Sequence, residues 1–163
     1  MIAEQMRKLF TFNRWAWKRV FDSVEQVGDT AYREARQLFE NSIHGTLVHC
    51  MSAEYIWLSR CQGHSSDSLF NPEDFADFAS TYKFWRPIFD NWASYLHDLT
   101  DEQCSRVIDY SNTQGNDFSL PLVDILQHVV NHATEHRSQL TPILFHMGFP
   151  TKPLDYVYFR LQL

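Results

Sequence analysis

Apolar residues recur along this chain at steps of three and four, and the pattern appears four times. In the first stretch, about residues 3–26, Met6, Phe10, Asn13, Trp17, Val20, Phe21 and Val24 share one helical face, and Gly28 and Asp29 supply a stop. A second stripe within about 32–62 aligns Leu38, Ile43, Leu47, Cys50, Met51, Glu54, Trp57 and Leu58. The polar run GHSSDSLFNP at 63–72 predicts a loop. A third helix is predicted from Asn71 or Pro72, where Asn can cap and Pro suits the first turn. Pro87 falls inside it, but Ile88, Trp92, Tyr95 and Leu99 resume the pattern, so a bend is expected and not an end. The segments 106–110 and 117–119 flank a polar SNTQGN turn and predict a small β-hairpin. The fourth helix runs from about Leu120 to Met147 and stops at Gly148, with Pro150 just beyond. The tail PLDYVYFRLQL is apolar enough to dock on the helices.

These elements predict an all-α fold, a four-helix bundle in one domain over residues 1–163. The first two helices would be joined by a short connection, and the last reached through a crossover carrying the hairpin. Composition sharpens this only in part. Hydrophobic residues at 44% and charged residues at 21% exclude a disordered chain, and the low count of five Gly and six Pro suits long helices. A formal charge of −6 with no Lys/Arg stripe argues against nucleic acid as a partner. No eighteen apolar residues run together, so no membrane span is expected, and the N-terminus does not read as a signal peptide. Cys50, Cys61 and Cys104 cannot all pair and none forms a C-x-x-C unit, which points to reduced thiols in a cytoplasmic setting.

The candidate chemistry lies on the fourth helix. Ile125, Val129, His132, His136, Leu140, Ile143 and Met147 advance by 4, 3, 4, 4, 3, 4, which places two histidines at the centre of the inward face. Imidazoles at i and i+4 can reach one ion. His49, about halfway along the second helix, supplies a third ligand from a facing element. Glu54 and Glu135 are the competing carboxylate ligands, although Glu135 turns about 100° away from each flanking histidine. His128 reads as a hydrogen-bonded core histidine, with fourth ligand or proton shuttle as the alternative. Arg137 reads as the partner in a surface or interhelical ion pair, or else as a binder of a substrate carboxylate. His44 reads as a surface or capping residue, Cys50 as a core thiol, and the five tryptophans chiefly as packing. Because ligand imidazoles must be neutral, metal affinity is expected to fall below about pH 6.

The segments SIHGTLVHCMSAEYIWL at 42–58 and LQHVVNHATEHRSQL at 126–140 resemble the DinB (DNA-damage-inducible, YfiT-like) family of metal-dependent four-helix bundles, which shares its name with an unrelated DNA polymerase. FNRWAWKRVF at 12–21 is similar to that family's first helix and PLDYVYFRL at 153–161 to its tail. The most specific element is N-H-x-x-x-H-R-x-Q, here Asn131 to Gln139. Ser138 stands where the family usually has Gly, which bears on local helix packing. The resemblance implies a divalent ion, often nickel or zinc, held by His49, His132 and His136. It further implies a small-molecule substrate, with thiol S-transferases that use a low-molecular-weight thiol and a thiol-dependent isomerase among the relatives. Three protein ligands with open positions are the catalytic type of site, and a thiol bound to such an ion is a thiolate at neutral pH. A metal-dependent transferase or hydrolase is the leading expectation, and a non-catalytic metal or small-ligand binding protein of the stress response the alternative. A homodimer is expected.

Overall fold

Each of the four stripes buries its apolar face in a common core. The computed structural model describes residues 1–66 and 68–162. Helix α1 spans Ile2–Val24 and buries all seven residues of the first stripe. A short α2, Asp29–Arg33, and an irregular stretch lead to α3, Ile43–Cys61. Helix α4 is Phe78–His97, α5 is Asp101–Cys104, and β1 (Val107–Ser111) pairs antiparallel with β2 (Asp117–Pro121). Helix α6, Leu122–His146, is the longest, and α7, Tyr156–Leu161, ends the chain. The long helices form a four-membered ring in which α1 and α3 each pack against both α4 and α6. Among the described residues no helix is long and apolar enough to cross a membrane.

Several boundaries differ from those the pattern predicts. The second helix does not begin near residue 32, because Ser42 caps a new start by accepting a bond from the Gly45 N–H at 2.9 Å. Leu38 therefore sits on the irregular 34–42 stretch and not on a helix. The third does not begin at Asn71 or Pro72 either. Asn71 caps only a 3₁₀ turn over Pro72–Asp74, and α4 starts at the reciprocal Asp77–Ser80 capping box. Helix α5 comes from the same device at Thr100 and Gln103. Helix α4 continues through Pro87, as α6 does through Pro142. The two crossings also differ from expectation. Consecutive helices α1 and α3 take opposite corners of the ring, so residues 25–42 traverse the bundle end in place of a short turn. Helices α4 and α6 do the same through the hairpin. The tail docks as expected, with Phe12 meeting Tyr156 at 5.2 Å and Phe159 at 5.8 Å.

One polar chain crosses the core. Arg137 of α6 donates to the Asn13 side-chain oxygen and to Thr134 Oγ1, and Asn13 Nδ2 donates to Glu54 Oε1 at 2.7 Å. Trp85 Nε1 donates to Glu54 Oε2 at 2.8 Å, and Trp92 Nε1 to the Glu54 carbonyl. All four long helices thus share one hydrogen-bonded network. Arg137 is 2% exposed and Glu54 3% exposed, so Arg137 serves between helices, through Asn13 to Glu54, and not at the surface, and Glu54 is not a metal ligand. Burial pushes the Glu54 carboxyl up, while Trp85, Asn13 and Arg137 draw it back down.

Candidate metal centre

His49 lies in the second turn of α3, and His132 and His136 lie one turn apart in the middle of α6. Helices α3 and α6 are neighbours in the ring, and the three rings meet between them. The Nε2 atom of His132 stands 3.1 Å from His49 Nε2 and 3.1 Å from His136 Nε2. Ligand atoms of the three residues all lie within 4.8 Å of one another.

Hydrogen bonds alone do not satisfy this arrangement. Gln139 Oε1 can only accept, so at 3.0 Å it takes the proton of His136 Nδ1 and leaves a lone pair on His136 Nε2. His132 Nε2 carries either one proton or one lone pair, yet faces two ring nitrogens. A cation accepts all three lone pairs. Two nitrogens each about 2.05 Å from an ion stand about 2.9 Å apart at a right angle and about 3.3 Å apart at the tetrahedral angle. The 3.1 Å spacing lies between these values. The residues present fit a divalent ion.

Electrostatics keep the rings ready. Burial lowers His49 to about 4 and His132 to about 3, and the neighbouring histidines add to both shifts. For these two the acid limit therefore lies well below the pH 6 expected from free imidazole. The unfolded chain takes up protons on both groups near 6.5, whereas the folded one leaves them neutral, so acid favours unfolding. We expect the melting temperature of the metal-free protein to fall as the pH drops from about 6.5 towards 4. Thermal melts across that range should show a shallower fall in a His49→Asn/His132→Asn variant.

The irregular 34–42 stretch completes the site with residues that no helical period points to. Glu40 Oε1 lies 3.3 Å from His49 Nδ1, close enough for an ion pair yet too poorly aligned for a hydrogen bond. A small rotation would give the carboxylate–histidine arrangement that orients metal ligands. Phe39 is 65% exposed, and its ring meets His49 at 5.4 Å and His136 at 5.6 Å. Gly45 brings this stretch close to α3, because a Cβ there would run into the Glu40 carbonyl. Gly45→Ala is expected to cost about 1–3 kcal/mol in stability. By shifting Glu40 it should also weaken metal binding about tenfold, which titration of the variant with zinc would measure.

The remaining sequence candidates separate. His128 is exposed, with its ring against Trp57 at 5.0 Å and His132 at 5.7 Å, so it is not a core histidine. Glu135 is exposed. His44 is buried against Tyr32, contrary to the surface reading, because α2 and the stretch after it fold over the start of α3. Cys50 is 1% exposed, and burial among apolar groups, reinforced by Glu54, pushes its thiol well up. All three cysteines are buried and free. Ser138 faces outward and bonds back to the Glu135 carbonyl, so a serine there leaves the helix packing undisturbed.

Protein DinB of Bacillus subtilis (strain 168) is 24% identical over 156 residues, covering 91% of this chain and 90% of that protein. The profile of the DinB family matches residues 1–162, the whole bundle with its histidine site and docked tail, and the chain belongs to that family.

Proposed function

We propose that this protein is a metal-dependent enzyme that holds a divalent ion, nickel or zinc, on His49, His132 and His136. The carrying observation is the set of three ring nitrogens, two of the spacings being 3.1 Å, with no fourth His, Cys, Asp or Glu grouped with them among the described residues. When bound, the ion supplies a Lewis acid that lowers the pKa of a thiol or water to near neutrality. The protein's own groups do the positioning. Gln139 fixes the His136 tautomer, Glu40 stands behind His49, and Phe39 covers one side of the site. Cys50, buried with a raised thiol, is not a nucleophile, so the attacking group comes from a cosubstrate. Thiol S-transfer with a low-molecular-weight thiol, or hydrolysis, fits this arrangement.

Metal analysis of protein purified without added metal, followed by thiol-transfer and hydrolysis assays on the loaded form, tests the reading. About one ion per chain with metal-dependent turnover supports it. Bound metal with no turnover for any thiol acceptor would favour a metal-binding stress protein instead. A homodimer belongs to the same proposal and is supported by the exposed rings of Tyr82 and Phe84 on α4. Light scattering at micromolar concentration should give about twice the 19.3 kDa chain mass.

A further inference from the structure

Arg60, in the last turn of α3, is 6% exposed, and its side chain has no hydrogen bond or ion pair among the described residues. Its guanidinium carbon sits 4.5 Å from the Trp57 ring and 4.9 Å from the Tyr110 ring. These contacts, with the negative end of the α3 dipole, stabilise the charge. They leave its N–H edges unused, and Nε is buried without a partner. Other arginines have their donors used: buried Arg137 donates to Asn13 and Thr134, and exposed Arg106 donates to the Cys61 carbonyl and Tyr95. A covered cation with idle donors is costly unless something binds it.

The surroundings say what that something is near. Trp57 touches His128 at 5.0 Å, and His128 touches His132 at 5.7 Å, so the arginine lies along a continuous row of rings that begins at the histidine centre. Trp57 is on the same helix as His49, eight residues on, and His128 is one turn before His132. We infer that Arg60, set against the edge-to-face pair of Trp57 and Tyr110, is an oxyanion subsite that anchors a carboxylate or phosphate of the substrate while its reacting end lies at the histidine centre. This role in substrate binding rests on the proposed metal-dependent function; the anion site itself does not. A guanidinium presents two parallel N–H donors that match either oxyanion, and the two ring contacts hold the group in place. The substrate class is thus an anionic small molecule with an apolar segment able to lie along Trp57 and His128.

The test uses the full chain, ¹⁵N-labelled, metal-free and zinc-loaded. Propionate, inorganic phosphate and uncharged propionamide are titrated while the Arg60 Nε–H and Trp57 indole cross-peaks are followed, each assigned by its loss in Arg60→Gln or Trp57→Phe. Saturable shifts with propionate or phosphate but not propionamide are expected, and the responding anion identifies which oxyanion is read. Arg60→Gln should weaken binding at least about tenfold, and Arg60→Lys should fall between. If Arg60→Gln does not fold, the contrast between propionate and propionamide in the unaltered protein decides. The zinc-loaded protein should also bind 11-mercaptoundecanoate, long enough to follow the row of rings, at least about tenfold tighter than 11-mercaptoundecanol. No saturable shift with either anion, or equal affinity for the two thiols, would overturn the inference. Anion binding in a protein that takes up no metal would overturn the metal-dependent function and leave the anion site standing.

Discussion

Replacing Arg137 with Met is expected to cost the fold about 3–5 kcal/mol, a drop of roughly 10 °C in Tm for a chain of this size. The guanidinium bonds Asn13 and Thr134, and through Asn13 it meets the carboxylate of Glu54. Burial lowers the arginine to about 10, so it stays charged at neutral pH, and Glu54 is the main group holding it up. Methionine keeps much of the volume but leaves a fully buried carboxylate without its cation. Arg137→Lys should cost less, since charge survives while the forked geometry is lost. Urea melts of the single and double variants would check the coupling. Arg137→Met combined with Glu54→Gln should recover about 1 kcal/mol or more relative to the sum of the two single changes, and strict additivity would count against a shared network.

His132→Ala is expected to remove tight metal binding and all metal-dependent activity, while Cys50→Ser retains most of both. His132 is the ring whose Nε2 faces both partners at 3.1 Å, so its loss leaves two ligands that no longer share a centre. Cys50 sits one residue from His49 yet points into the core, where its raised thiol is neutral at working pH. Both variants would be loaded with zinc, checked for folding by circular dichroism, and assayed side by side. Loss of activity in a folded, metal-loaded Cys50→Ser protein would place the nucleophile in the protein and refute the cosubstrate mechanism.

The parts that were legible from the sequence are those set by helical period. The stripe from Met6 to Val24 is buried throughout, and the step of four between His132 and His136 places both on one face. Period also misled: it carried the second helix back through Leu38, because it does not register a capping serine at 42 or a backbone turning at Asn41, whose φ is +60°. That break is where Phe39 and Glu40 reach the site, so the residues around His49 were invisible to a rule about faces. Arg137 and Arg60 show the same limit from another side. Both are arginines on amphipathic helices, and only the packed structure shows that one has its donors satisfied by Asn13 and Thr134 while the other rests against two rings with its donors idle. Glu54 was readable as inward-facing but not as bonded to Trp85, since that partner comes from α4.

X-ray absorption spectroscopy of the protein loaded with one equivalent of zinc, and separately of nickel, tests the central claim most directly. The expected first shell contains three imidazole nitrogens at about 2.0–2.1 Å, completed by exchangeable light-atom ligands, with the imidazole signal collapsing in His132→Ala. A shell with sulfur from a protein cysteine, fewer than three imidazoles, or an unchanged spectrum in His132→Ala would contradict a centre built on His49, His132 and His136.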